Sequence, residues 1–432
     1  MTLAAEKTKD KGPGRVLAVL IVIVFTCVIG ATYGFGLYLL PAVVAEMKAE
    51  IGFDYTAVGT ITAVSQIGFL AAALLSGVLA PRLSAAVVIV VSAFLCAAGL
   101  FALSFADSLA VIAMIFVVLG ACTASAWTPM VSVISRTIPF AHRAKALGLI
   151  ASGTNYGVFL NGLLVPYFLT RQHWRDLWEI TAALTFLISI ACLLLMAWSG
   201  LLRRQPSSPA QDTADQLVQS GSLKEVLAAR PMLVWAIMFL SGCSSIPFLN
   251  YFSLFLQSEL GLSVEVAGQA WMLIGLLGMI GGVTVGAIGD HIGVRATLAL
   301  MYILILTAAL CLLFGTGLAF VHCAAFLFGI AFNGVFGLVP AYVTKTYKEN
   351  LRVGIFSGCN IFLGLGSMLG NFLAGWGKSV TGSFTGVYLA IAAILALLIF
   401  LCSRLHRDTT SPDPHPAPEN AVAELGGPAL VL

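Results

Sequence analysis

Twelve runs of roughly 20 apolar residues divide this chain, and as α-helices each is long enough to cross about 30 Å of hydrocarbon. Their expected limits are 16–41, 56–80, 85–105, 109–135, 146–169, 175–199, 231–257, 265–289, 296–316, 319–343, 353–377 and 384–403. In lipid every backbone N–H and C=O must be satisfied within the protein, so only helices or a closed barrel can span. The runs lack the alternation of a barrel strand, and the expected fold class is an all-α membrane protein of 12 transmembrane helices. Charged residues make up only 9% of the chain, too few to cover a water-facing surface. The first fourteen residues are polar and basic, and no small-residue cleavage site follows them, so the first run reads as a retained span.

Charge then predicts orientation. Eighteen of the 22 Lys and Arg fall in one set of loops and ends, while the other set holds only Lys48, Arg171, Arg175 and Lys378. Basic residues stay on the cytoplasmic side, so both termini are expected there, in the cell inner membrane. The net charge of +3 is scattered over many loops, which argues against a nucleic-acid partner. Arg203-Arg-Gln-Pro-Ser-Ser-Pro reads as a linker, with a short surface helix around Ser222 to Ala229. The expected layout is a cytoplasmic terminus (1–15), a six-helix bundle (16–200), the linker (201–230), a second bundle (231–404) and a proline-rich, unpacked tail (405–432). Nine cysteines lie singly in apolar runs and read as small hydrophobes rather than as metal ligands or a disulfide framework.

The charged turn Gly286-Ala-Ile-Gly-Asp290-His-Ile-Gly293-Val-Arg295 separates the eighth and ninth runs. Gly77 follows the second run as Gly286 follows the eighth, at a separation of 209 residues. Arg143 and Arg352, before runs five and eleven, show the same separation, which is what two parallel six-helix repeats predict. The first copy differs in chemistry, with Pro81 in place of Asp290 and Ala86 in place of Arg295. The turn resembles the loop signature Gly-x-x-x-Asp-x-x-Gly-x-Arg/Lys of the major facilitator superfamily, and with twelve spans in a 6 + 6 arrangement the resemblance covers nearly the whole chain. It implies two pseudo-symmetric bundles rocking about a midplane cavity lined by spans 1, 4, 7 and 10. It also implies that the Asp290 loop packs on the start of span 5, near Arg143 and its helix N-terminus. There Gly286, Asp290, Gly293, Arg295 and Arg143 would form a latch or, on the plainer reading, a loop staple.

No cation or carboxylate is expected at mid-membrane, because all of them fall in loops or at span ends. A buried proton relay is thereby disfavoured, although Glu46 would serve if span 1 ended later than residue 41. His322 reads as a headgroup-level residue. Neutral polar side chains near the span centres are therefore the substrate-binding candidates: Tyr33, Ser125, Trp127, Thr128, Asn155, Asn161, Ser245, Asn250, Asn333 and Asn360. For each Asn a helix–helix hydrogen bond is as good an explanation as a ligand contact, and Asn161 beside Gly162 reads as a staple. Trp174 and Arg175 open span 6 at the outer mouth, as an interfacial anchor or as a site that attracts an anionic solute. Gly157 is followed by Val158, not by the proline that drug/proton antiporters of the family carry there.

There is no phosphate-binding loop and no His-Glu-x-x-His, so no catalytic residue, metal or cofactor is expected. The family resemblance implies a secondary active or facilitative transporter working by alternating access, and a likeness to bacterial uptake permeases, including the monocarboxylate-like branch, implies uptake of a weakly charged or monocarboxylate-like compound. The alternatives are an efflux pump for hydrophobic compounds and, in a different class, a membrane sensor or intramembrane enzyme. Expected partners are a small-molecule substrate and the lipid bilayer, with a co-transported proton as a further candidate and a monomer as the working unit.

Overall fold

A computed structural model describes residues 13–79, 84–171, 173–202, 223–229, 231–315 and 317–406. Span 1 consists of Pro13–Ile29, a π-helical turn Gly30–Phe35 and a continuation Leu40–Ile51. Spans 2, 3 and 4 are Tyr55–Leu79, Ala85–Leu103 and Leu109–Thr137. Span 5 joins Phe140–Ala151 to Gly153–Leu169, and span 6 is Trp174–Trp198. After a short helix Leu223–Ala228, span 7 joins Met232–Asn250 to Phe252–Ser258. Spans 8 to 12 are Val264–Ile292, Val294–Phe314, Leu318–Thr346, Glu349–Thr381 and Thr385–Arg404. Among the described residues eleven helical stretches are long and apolar enough to cross a membrane, and span 5, broken at Ser152, completes the twelve. An even number of crossings returns Arg404 to the face from which Pro13 starts. We call this the terminal face and its opposite the far face.

The clearest departure from expectation is span 1, which continues to Ile51 rather than ending at residue 41. Pro41 falls in the first turn of the continuation, where its missing N–H leaves no helical bond unmade, so it restarts the helix instead of ending it. The predicted linker and tail lie largely outside the described residues, as do Pro81 and Arg82 of the first-copy loop.

The repeat read from residue spacing reappears in the packing. Span 2 packs on span 4 and span 8 on span 10; likewise 1 on 5 and 7 on 11, and 3 on 6 and 9 on 12. Arg143 Nε donates to the Ile138 carbonyl at 2.9 Å, and 209 residues later Arg352 Nε donates to Tyr347 at 3.0 Å. Each arginine thus closes the carbonyl end of the preceding span. The first six spans meet the last six chiefly through 2 with 11 and 5 with 8.

One close approach fixes the first repeat. A Cβ on Gly157 would lie 2.5 Å from Gly34 Cα and 2.5 Å from the Gly30 carbonyl, so spans 1 and 5 touch backbone to backbone. The wide π turn beside it sends the Tyr38 N–H to the Tyr33 carbonyl rather than to Gly34. The Gly34 carbonyl is taken up by Asn161 Nδ2 at 2.8 Å instead.

Candidate functional site

On the far face the two repeats are sealed. Asp54 caps the start of span 2 by accepting the Ala57 N–H at 2.8 Å, and its other oxygen accepts from Ser379 of span 11 at 3.4 Å. Ser379 Oγ also meets Thr56 Oγ1 at 2.9 Å and the Thr56 N–H at 3.1 Å. The Ala57 N–H holds the Asp54 carboxyl below the usual aspartate range, helped by Thr56 and Ser379. Next to this seam Lys378 pairs with Glu259, which also accepts the Phe384 N–H at 2.8 Å and the Ser383 hydroxyl at 3.0 Å. Burial pushes the Glu259 carboxyl up, but these donors outweigh it and the group sits below the ordinary range. Lower in the seam Tyr251 donates to the Asn371 carbonyl at 2.9 Å, and a Cβ on Gly59 would reach that carbonyl at 2.5 Å.

The seal ends at mid-height. Spans 5 and 8 touch at Pro166–Gly268, Gly162–Met272 and Phe159–Gly275, and then at Asn155–Gly278. Beyond that, towards the terminal face, a Cβ on Gly148, Gly282 or Gly286 would meet no atom within 4 Å. The repeats therefore part below this level, leaving a cleft that opens to the terminal face. At its apex Asn333 Nδ2 donates to Asn155 Oδ1 at 2.7 Å, joining the centre of span 10 to the centre of span 5 across the two repeats.

Of the ten neutral candidates, this pair is brought together. Tyr33 on the π turn and Trp127 are half-buried against one apolar cluster, Ser125 is half-buried and Thr128 is exposed. Ser245 is buried, and its hydroxyl has no partner among the described residues. Asn360 is exposed, on the helix face that Gly364 and Asn371 turn towards span 2, and so lies in the register of the open cleft. Two candidates are drawn away from the cleft. Asn161 serves the Gly34 carbonyl, and Asn250 donates to Asn371 Oδ1 at 2.9 Å in the seam between spans 7 and 11. Asn371, fully buried, is the polar residue that sequence reading passed over.

The charged clusters differ from expectation. Gly293, with φ 88°, forms the whole turn between spans 8 and 9, a conformation that favours glycine. Asp290 does not face Arg143 here. Its ion pair is with Lys345 in the last turn of span 10, at 3.3 Å, and Arg295 donates to the Ser403 carbonyl at 2.5 Å. The physical reason is the cleft itself, since spans 5 and 8 have separated at this depth. Arg175 donates to Glu50 at 2.9 Å, to Asp107 at 2.7 Å and to the Ser104 carbonyl at 2.9 Å, while Trp174 Nε1 donates to Glu50. The guanidinium is thus neutralised by two carboxylates and ties span 6 to span 1 and to the end of span 3. Glu46, expected near the outer face, lies within the helical continuation of span 1, about 7.5 Å from its end.

A groove of about 430 Å³ lies apart from the cleft, between spans 1, 5 and 6. Tyr156, Leu160 and Leu149 border it on the exposed stripe of span 5, and Ile23, Cys27 and Ile188 contribute from the other two spans. Val158 and Val165, on the opposite side of span 5, are buried, so the groove faces the bilayer.

Twelve crossings around a mid-height cleft that is closed on one face define a polytopic membrane transporter. Residues 24–357 match the Major Facilitator Superfamily, and the chain belongs to it. Among solved structures it resembles the nucleoside transporter NupG at 14% identity and TM-score 0.69, covering 90% of this chain and 98% of that one. It also resembles a bacterial homologue of the human lysosomal transporter Spinster, in an inward-facing and unoccupied conformation, at 14% identity, TM-score 0.69, and 91% and 96% coverage.

Proposed function

We propose that this transporter moves a small, weakly charged or monocarboxylate-like organic solute inwards by alternating access, with its two six-helix repeats rocking about the mid-height layer. The observation that carries the reading is the Asn155–Asn333 hydrogen bond at the apex of the cleft. Two amides joined there retain further donor and acceptor capacity for a solute's oxygens, with no ion to demand a countercharge. The basic bias of one loop set supports cytoplasmic termini in an inner membrane, so the cleft faces the cytoplasm. On this reading Asp290 exchanges Lys345 for the start of span 5 when that side closes.

Purified protein in liposomes, given lactate as the monocarboxylate probe and uridine as the neutral probe, tests this. We expect lactate to accumulate under an inside-alkaline pH gradient, with the rate falling at least about tenfold in Asn155→Ala, the scale of a lost pair of substrate hydrogen bonds. Lactate flux that is equal in wild type and Asn155→Ala would remove the site. The apolar groove on the bilayer side favours a second reading, export of hydrophobic compounds taken from the membrane. Dye extrusion against a gradient, without lactate or uridine uptake, selects it.

A further inference from the structure

On the far side spans 1 and 6 run antiparallel, and their first rung is the bond from Trp174 Nε1 to Glu50. Helix faces recur every four residues, so one turn deeper on both helices sets Glu46 opposite Trp178, and one further sets Ala42 opposite Ala182. The two alanines are 3% and 4% exposed, and small residues at this rung let the helices close together. The middle rung is the anomaly. Trp178 is fully buried with Nε1 lacking an acceptor, and Glu46 Oε2 is sealed from solvent without a donor, among the described residues. Phe116 packs edge-on against the Trp178 ring at 6.4 Å, which holds the indole in place. A buried donor and a buried acceptor one rung below a completed copy of the same pair are each expensive to leave unmade.

Among the described residues no ion pair reaches Glu46. On its own helix Lys48 lies over the Tyr55 ring and Glu50 is bound to Arg175. On span 6 Asp176 faces His173 at 3.4 Å, and Glu179 is exposed. The half of span 5 packed on this continuation, Gly153–Leu169, carries Tyr156 and Tyr167, both exposed, and Arg171 just beyond it lies over the Tyr167 ring. The span 7 continuation brings Gln257 and buried Tyr251, with Glu259 beyond them already paired to Lys378.

We propose that Glu46 is a proton-binding site and that Trp178 reads its state: the carboxylate accepts the Trp178 N–H, and one proton added to the carboxylate releases it. The protonated arrangement leaves the rung unbonded. The site sits one turn inside the cluster that ties span 1 to span 6, so its charge bears directly on how those helices close the far face. That this proton is the one coupled to solute movement rests on the carrier reading above; the proton site itself does not.

The test needs no substrate. Infrared difference spectra of the full-length protein in liposomes follow protonated-carboxyl absorption across roughly pH 5 to 9, the range open to a sequestered carboxyl. We expect a titrating band in wild type that is absent from Glu46→Gln and retained in Glu50→Gln. In Trp178→Phe it should persist with its midpoint displaced by about one pH unit, the effect of one hydrogen bond. Glu46→Asp, which should restore a band, guards against loss of signal through misfolding of Glu46→Gln. A band that survives in Glu46→Gln, or a wild type that shows none, overturns the proposal. A band that behaves as expected while liposomes carry neither lactate nor uridine leaves the site standing and removes the carrier reading alone.

Discussion

Gly157 sets one of the backbone-to-backbone contacts that tolerate no side chain. Its position against Gly34 and the Gly30 carbonyl leaves no room for a single added carbon. Gly157→Val should therefore destabilise the fold by about 3 kcal/mol or more, the upper part of the range for overpacking between backbones that cannot retreat. Gly148→Ala, with nothing within 4 Å, should leave it unchanged or slightly improved. Thermal unfolding followed by intrinsic fluorescence in detergent distinguishes them. For Asn155 and Asn333, a double-mutant cycle with Asn155→Ala and Asn333→Ala should return a coupling of roughly 0.6–1.7 kcal/mol, as interhelical hydrogen bonds in membranes do. Zero coupling would mean that the 2.7 Å bond adds nothing to the closed apex. At this scale the sequence was only partly legible. It nominated polar residues near span centres, and Asn155, Asn333 and Asn360 do stand at or facing the cleft. It chose Asn360 on span 11 and overlooked Asn371, although Asn371 sits four residues from Gly375 and seven from Gly364, on the face that small residues mark for packing. Centrality along a run is a weaker guide than register against the glycines.

Among the elements, the seam of spans 2 and 11 on the far face has a definite dependence on pH. Asp54 is held below its ordinary value of 3.8, so the stability it lends the seam is present above that value and is lost as pH falls through the lowered one. Hydrogen exchange of the segment that begins span 2 should accelerate on acidification below about pH 4, after correction for the intrinsic pH dependence of exchange. Asp54→Asn should abolish that acceleration, and an unaltered profile in the variant would contradict the assignment. The neighbouring Lys378–Glu259 pair lies within one repeat, so it should not contribute to opening between repeats. Twelve elements were readable because a bilayer demands long apolar helices and forbids most else. Their ends were less so. Span 1 is expected to end at residue 41, yet Pro41 lies in the first turn of its continuation, and the ten residues beyond that limit, 42 to 51, contain Glu46.

At the scale of the whole molecule, alternating access requires the far-face seam to come apart. Thr56 Oγ1 and Ser379 Oγ are 2.9 Å apart, close enough for cysteines in their places to form a disulfide with little backbone movement. In a background with the nine native cysteines replaced, Thr56→Cys with Ser379→Cys should lose solute flux on oxidation and regain it with a reductant. Undiminished flux in the oxidised protein would show that the seam does not open during turnover. The doubled plan of the molecule was visible early because Arg143 and Arg352 do the same local job in the two copies. The partner of Asp290 was not: on the exchange proposed above it changes with the face that is open, and a sequence describes no single state.

The glycine contact between spans 1 and 5 also restricts how such a movement can occur. With Gly30 and Gly34 seated on Gly153 and Gly157, the terminal-side length of span 1 has no play of its own and must travel with span 5 as one stiff arm. Its continuation Leu40–Ile51 packs against the far end of span 7, in the other repeat, as well as against spans 5 and 6 of its own. Residues 36–39, where the helix is interrupted, therefore join a stiff arm to a short helix that touches both repeats at once.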